Sequence, residues 1–322
     1  MMKRRGASKS EIMKPPKPKV YTAAAIKRNF KMHKALYFLA LPMVIYVIIF
    51  NYVPMAWQLM AFQDFKPALG LFGSPWVGFD NFLDFFSSVY FKRVMVNTLT
   101  LNFKDLLISF PLTVIVALLL NEVGSRWFKK SVQVISYMPN FVSMVIICGL
   151  VMTFCGDKGV VTAIYNLFTG NTGSMMTDPD LFQAIYIWSG IWQGLGFGTI
   201  LYVAALSGVN TQLYDAAKID GANRLRLTWH VTLPGIAPTI ILMLILRIGA
   251  LMGGSFEKVI LLYNSATMEK ADIIASYVYR KGLIDSDYGY STAVGLFNSV
   301  INLALIIIAN QLSKKFSESS LF

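Results

Sequence analysis

The sequence predicts an all-α integral membrane protein with six transmembrane helices. Of its 322 residues, 55% are hydrophobic and only 14% are charged, whereas a soluble domain usually carries about 25% charged residues. A helix needs about 20 apolar residues to cross a bilayer, and six windows of the chain are long enough. These windows lack the alternation of barrel strands, so only helices satisfy their backbone groups in lipid.

The first three predicted spans each have a local feature that fits a membrane helix. Pro42 lies near the start of the first span, where the amides lack helical partners anyway. The second span passes through Pro111, and the third follows the basic pair Lys129-Lys130. The six predicted spans cover residues 36–56, 97–121, 132–154, 183–206, 236–254 and 293–312.

The fourth span carries glycines at every fourth position, which places Gly190, Gly194 and Gly198 in one smooth stripe. Such a stripe lets two helices approach closely in lipid, so we expect a helix crossing here. The alternative is that the glycines thin the wall beside a substrate passage. Between the first and second spans, the outer segment 79–86 is amphipathic. This pattern fits either a helix lying in the membrane interface or an ordinary packing helix.

The positions of Lys and Arg predict that both termini are cytoplasmic. Eleven of these residues fall in the N-terminal tail, and the side that holds this tail receives 19 against 8 on the other side. Short cytoplasmic loops retain positive charge. The predicted organisation is a basic cytoplasmic tail at residues 1–35, a permease domain at 36–315 with a cytoplasmic loop at 207–238, and a short cytoplasmic tail at 316–322.

The chain offers no site for catalysis, a metal or a cofactor at the level of sequence. It lacks the Gly-x4-Gly-Lys-Ser/Thr pattern that binds nucleotide phosphates. The histidines His33 and His230 are isolated, and Cys148 and Cys155 fit neither a zinc motif nor a redox pair. The net charge of +12 is concentrated at the membrane face, where anionic lipid headgroups lie, so nucleic acid is not the expected partner.

The loop at 207–238 contains a motif with a fixed spacing. Asp215 is followed by Ala216 and Ala217, and Gly221 comes four positions after Ala217. After nine more residues the chain reads Val-Thr-Leu-Pro. The motif resembles the EAA loop of ATP-binding-cassette (ABC) importer permeases, with Asp in place of Glu and Val in place of Ile. The resemblance extends over most of residues 36–315. The residues that would couple the chain to an ATPase are Asp215, Ala216, Ala217, Asp220, Gly221, Leu233 and Pro234.

The resemblance implies a permease subunit of a type I importer of the maltose type, in a bacterial cell membrane. Residues 128–141 are similar to the branch that imports polysaccharides and lipo-oligosaccharides. This implies carbohydrate cargo, a second permease subunit, a cytoplasmic ATPase dimer and an extracytoplasmic solute-binding protein. The same machinery importing a peptide, an amino acid or a glycerophosphate is an alternative. An ion-coupled secondary transporter is another, although it predicts internal repeats that the sequence lacks.

Residue chemistry gives the loop a local rationale. We expect Asp215 to lie near a helix start, facing unpaired amides, and Gly221 to break that short helix. Trp229 and Leu233 are expected to pack the second half of the loop against the membrane core. Pro234 and Pro238 are expected to end one helix and start the next.

Polar groups at membrane depth are costly and often face a passage or a partner. Arg247 is the leading candidate for a charge that lines the passage or meets another subunit, because it lies well inside the fifth span. Asn298 and Asn302 share one helix face. Aromatic and amide groups suit sugar rings, although hydrogen bonds between helices and tryptophans at the membrane interface are the favoured explanation for any single residue. The substrate-path candidates are Arg247, Asn298, Asn302, Trp192, Gln193 and Lys104.

Overall fold

The computed structural model describes residues 32–254 and 256–316. Apart from one isolated bridge between Gln63 and Trp76, the described residues form helices and loops without strands, which confirms the predicted all-α class. The chain divides into two compact units, the first ending at Trp57 and the second beginning at Gln58. Most of the predicted tails, 1–35 and 316–322, lies outside the described residues.

The first unit is built on α1 (Lys34–Val47), which contains Pro42. A π-helical turn at Ile48–Tyr52 and a short turn at Val53–Met55 continue it. None of the residues of α1 is buried within the chain. A helix that is apolar on all sides fits a surface facing lipid or another subunit.

Besides two four-residue helices, Gly70–Gly73 and Met268–Ala271, the second unit contains the helices numbered here. They are α2 (Asp80–Ser87), α3 (Val89–Glu122), α4 (Arg126–Tyr137), α5 (Met144–Cys155), α6 (Val160–Thr169), α7 (Phe182–Ser207), α8 (Thr211–Ile219), α9 (Arg224–Leu227), α10 (Leu233–Gly249), α11 (Phe256–Leu262), α12 (Ile274–Tyr279) and α13 (Tyr288–Phe316).

Five of the six predicted spans correspond to single long apolar helices within the described residues. These helices cover Lys34–Phe62, Val89–Glu122, Phe182–Ser207, Arg224–Gly249 and Tyr288–Lys314. The third predicted span, residues 132–154, is not straight: Arg126–Phe141 and Met144–Cys155 meet at a bend of 99°. Pro139 lacks the amide that a continuous helix requires, and Ser143 caps the new helix by accepting a hydrogen bond from the Ile146 amide.

The amphipathic segment of the outer loop is a packing helix. In α2, the Phe85 ring is fully buried and its centroid lies 5.6 Å from that of Phe297 on α13. Edge-on aromatic pairs of this kind add to the stabilisation from burial itself. Of the two alternatives left open by the sequence, packing against the protein is therefore confirmed.

Glycines on α7 bring this helix close to its neighbours. A methyl group on Gly198 would lie 3.0 Å from Thr113 of α3, so this part of the predicted stripe is at a helix crossing. Gly196 makes the tightest approach, because a Cβ atom there would lie 2.2 Å from the Ser136 carbonyl oxygen. Gly190 and Gly194 instead line a cavity, as the second interpretation of the stripe predicted.

Candidate functional site

The loop at 207–238 begins with a short helix whose two ends are specified by sequence. The Asn210 Oδ1 atom caps α8 by accepting a hydrogen bond from the Gln212 amide at 2.9 Å. At the other end, Gly221 has a φ of +77°, a conformation that favours glycine. The Ala222 amide donates to the Ala217 carbonyl at 2.9 Å, which completes a Schellman motif. The prediction that Gly221 ends the helix is confirmed.

The prediction that Asp215 lies near the start of the short helix is wrong. It is the fifth residue of α8, beyond the amides that lack partners, and its carboxylate lies 3.7 Å from Lys218 Nζ. Asn210 occupies the start instead because its side chain reaches the first-turn amides. Ala216 is exposed and Asp220 is the exposed residue at the C-terminal cap, so the motif lies on an accessible surface.

The second half of the loop differs from the expectation in two places. The Trp229 residue is 67% exposed, so it does not pack against the membrane core, whereas Leu233 does. Pro234 is in the first turn of α10 and Pro238 is inside that helix. Neither proline breaks the path, because α9, the π turn at Thr228–Thr232 and α10 form one continuous span, Arg224–Gly249. The π turn precedes Pro234 and accommodates its missing N–H.

One hydrogen bond braces the two halves of the loop. The Tyr214 hydroxyl donates to Thr232 Oγ1 at 3.1 Å, and Thr232 is only 2% exposed. The brace connects α8 to the segment that leads into α10. α8 is thus joined to a spanning helix by a side-chain contact as well as by the chain itself.

Apolar side chains remain uncovered around this brace, and sequence reasoning did not identify them as a surface. Ile219 is 87% exposed and Leu225 is 71% exposed. Exposed apolar side chains of this kind are typical of a surface that a protein partner or the membrane covers. We call Leu213, Ile219, Leu225 and Trp229 the apolar loop surface.

A cavity of about 370 Å³ lies among α3, α7, α10 and the segment leading into α11. Arg247 and Gln193, both predicted for the substrate path, line this cavity. The other polar residues of its wall include Asn102, Asp105, Ser109 and Lys258. The cavity therefore offers charges, amides and hydroxyls at membrane depth.

The remaining predicted path residues lie elsewhere. Lys104 is exposed and donates to Gln183 Oε1 at 2.7 Å, while Trp192 is half exposed and does not line the cavity. Asn298 Nδ2 donates to the Met252 carbonyl at 3.2 Å, and Asn302 Oδ1 accepts from the Met252 amide at 3.3 Å. The two asparagines thus position the turn after α10, beside the cavity.

Lys258 is the residue that sequence reasoning missed. It precedes the apolar run of α11, outside the candidate spans, and is only 3% exposed. Its Nζ atom donates to the Tyr186 carbonyl at 2.7 Å and lies 4.7 Å from the centre of the Tyr186 ring. Burial lowers the pKa of the Lys258 ammonium to about 8, against the opposing effect of the Asp105 charge.

Comparison with known proteins identifies the family. The family described as "Binding-protein-dependent transport system inner membrane component" matches residues 109–318. The chain belongs to this family. It is thus a multi-pass membrane permease component of a transport system that uses a binding protein.

Two relatives from Bacillus subtilis (strain 168) resemble this permease over nearly its whole length. Protein LplB is 45% identical and the match covers 93% of each chain. The polygalacturonan/rhamnogalacturonan transport system permease protein YteP is 43% identical, with 90% of each chain covered.

Solved structures agree with the fold of this permease. A chain of a bacterial ABC transporter involved in the import of the acidic polysaccharide alginate is 40% identical, with a TM-score of 0.83. The match covers 90% of this permease and 98% of that chain. A second structure of a bacterial alginate ABC transporter contains an alginate pentasaccharide-bound periplasmic protein and gives a TM-score of 0.84.

A buried ionic network stabilises the segment before α12 of this permease. The Asp272 side chain is fully buried and its Oδ2 atom lies 2.5 Å from Arg280 and 3.4 Å from Arg93 of α3. Asn97 of α3 donates to the Asp272 carbonyl at 3.0 Å. Burial acts to lower the pKa of Arg280, but the hydrogen bonds and charge of Asp272 outweigh it and raise this pKa.

Proposed function

We propose that this permease imports oligosaccharides or fragments of polysaccharides, driven by ATP hydrolysis on separate subunits. The cargo of the relatives supports this: the names above refer to polygalacturonan, rhamnogalacturonan and alginate. Membership of a family that depends on a binding protein argues against the ion-coupled alternative. The chain supplies the passage, and no catalytic step is assigned to its residues.

The single observation that carries the assignment to an ATP-driven importer is the shape of the loop at 207–238. A short helix bounded by Asn210 and Gly221 presents Ala216 without bulk, next to the apolar loop surface. Exposed apolar residues are stabilised by a partner, and small side chains permit its close approach. We assign this surface to the ATPase, with Asp215, Ala216, Ala217, Asp220 and Gly221 in α8 or at its end, and Leu233 and Pro234 anchoring the loop to α10.

The assembly in this proposal contains a second permease, an ATPase dimer and an extracytoplasmic solute-binding protein. The coupling loop faces the cytoplasm, and both termini lie on the same side, as the excess of Lys and Arg there supports. ATPase closure moves α8, and the Tyr214–Thr232 brace transmits the movement to α10. Substrate moves because the two facing states bind it with different free energies.

The double variant Ala216→Arg with Gly221→Pro tests the docking assignment. Arginine adds bulk and charge at an exposed position, and proline cannot adopt a φ of +77°. We expect the tagged variant to reach the membrane at the normal level, to lose the ATPase on co-purification and to lose sugar-stimulated ATP hydrolysis. Retention of the ATPase and of normal stimulated turnover would contradict the proposal.

The chain offers a matched control on α6. Ala163→Arg with Gly170→Pro makes the same two chemical changes at an exposed alanine and at a glycine with a φ of +71° after a short helix. In the proposed topology α6 lies on the extracytoplasmic side. This control is expected to co-purify with the ATPase, and its loss of the ATPase would show that local disruption alone explains the result.

A further inference from the structure

Two cationic side chains line the cavity without a carboxylate at ion-pair distance among the described residues. Among the described residues, Arg247 forms no hydrogen bond or ion pair, and no carboxylate lies within ion-pair distance of Lys258. Arg247 also borders a second cavity, of about 350 Å³, next to the first. A charge inside a spanning helix, such as that of Arg247 in α10, is costly and often marks a binding or transport pathway.

Asp105, the one carboxylate among the described residues of the cavity wall, attracts the Lys258 ammonium through its charge but lies beyond ion-pair distance. The Asp105 Oδ1 atom accepts a hydrogen bond from Ser109 Oγ at 2.6 Å, and it forms no ion pair with Arg247 or Lys258 in the described structure. With two cations and one carboxylate, the wall carries an excess of positive charge. A site with this balance attracts anions.

The backbone around Lys258 holds its ammonium at the cavity wall. A Cβ atom on Gly190 would lie 3.1 Å from Lys258 Nζ, so the glycine leaves room for the ammonium next to α7. The Tyr186 carbonyl and ring then fix its position. One of its three N–H donors is used in this way, and the others remain for a ligand.

We infer that the cavity binds the carboxylate groups of an acidic saccharide, with Arg247 and Lys258 as the anion ligands. Arginine binds a carboxylate through two parallel hydrogen bonds, and Asn102, Ser109 and Gln193 offer partners for hydroxyl groups. The volume of about 370 Å³ is in the range of small-molecule sites. This inference rests on the proposed function and specifies its substrate class.

Equilibrium binding to the purified importer, in the absence of its binding protein, tests the inference directly. The probes are radiolabelled tetragalacturonate and the same tetrasaccharide with its carboxyl groups reduced to alcohols. We expect the acidic probe to bind wild type at least tenfold more tightly. Arg247→Gln and Lys258→Gln should each weaken its binding about ten- to a hundredfold, the range for loss of a charged hydrogen bond, without weakening the reduced probe comparably.

Charge-conserving variants separate this role from a structural one. Arg247→Lys and Lys258→Arg should restore most of the preference for the acidic probe, while Lys92→Gln, at an exposed lysine of α3, should bind like wild type. Equal binding of both probes, or no binding of either, would overturn the inference. Co-purification with the ATPase is measured independently and would leave the proposed function in place in that case.

Discussion

The buried network at Asp272 gives the sharpest stability prediction. Asp272→Asn keeps the size of the side chain and an oxygen that can accept the hydrogen bond from Ser276 Oγ, which is 2.7 Å long. It removes the charge that faces Arg280 and Arg93. Removing one partner of a fully buried ion pair costs about 3–5 kcal/mol.

The partners are less buried than the carboxylate, which sets the expected size. The Arg280 and Arg93 side chains are 19% and 31% exposed, so water partly solvates the charges left behind. We therefore expect the free energy of unfolding to fall by about 3 kcal/mol, near the lower limit of this range. The Tm should fall by roughly 5–10 °C. The assay is thermal unfolding of the detergent-solubilised importer, followed by tryptophan fluorescence.

An exposed ion pair provides the control. Asp180 contacts Lys270, and the two side chains are 74% and 48% exposed. Asp180→Asn should cost less than about 1 kcal/mol, as surface pairs do. If Asp272→Asn unfolds at the same temperature as Asp180→Asn, the buried network does not stabilise the segment before α12.

Two glycine substitutions give further predictions. Gly221→Ala forces a side chain into a φ of +77°, at a cost of about 1–2 kcal/mol, and should lower sugar-stimulated ATP hydrolysis. Its control is Gly208→Ala, at a φ of −90°, which should leave the rate of hydrolysis unchanged. Equal rates in the two variants would contradict the role given to the turn at Gly221. Gly196→Ala places a Cβ atom 2.2 Å from the Ser136 carbonyl oxygen and should cost about 1–3 kcal/mol, seen as aggregation in size-exclusion chromatography. Gly149→Ala meets open space and is its control, and matching elution profiles would refute the predicted clash.

The sequence was sufficient for the spanning helices because length and apolar composition alone determine whether a segment crosses a bilayer. It did not predict the 99° bend at Phe141 and Met144. Hydropathy averages over a window and is blind to one missing amide at Pro139 and one capping serine at Ser143. Boundaries of this kind depend on single residues within an otherwise uniform run.

Local patterns predicted the loop only in part. The prediction that Gly221 ends the short helix was correct, because the left-handed position after a helix strongly favours glycine. The prediction that Trp229 packs against the membrane core was wrong. It assumed that an apolar side chain packs inside its own chain, whereas the structure leaves Trp229 67% exposed. Exposure that is created by a missing partner is not visible in one sequence.

The cavity shows the same limit. Arg247 was identified from its depth in one helix, which is a local property. Lys258 lies outside the predicted spans, and the packing of α11 in the folded chain buries it. Its signal in the sequence was a lysine directly before an apolar run, which is too common to indicate a site.

Site-specific crosslinking at Lys218 tests the central claim most directly. Lys218 is exposed on α8, and the two native cysteines, Cys148 and Cys155, are buried, so an introduced thiol reacts selectively. With a thiol-to-amine crosslinker in native membranes, Lys218→Cys is predicted to join the chain to the ATPase subunit, and Lys158→Cys is not. A crosslink to the ATPase from Lys158→Cys, with none from Lys218→Cys, would contradict both the docking surface and the orientation of the chain.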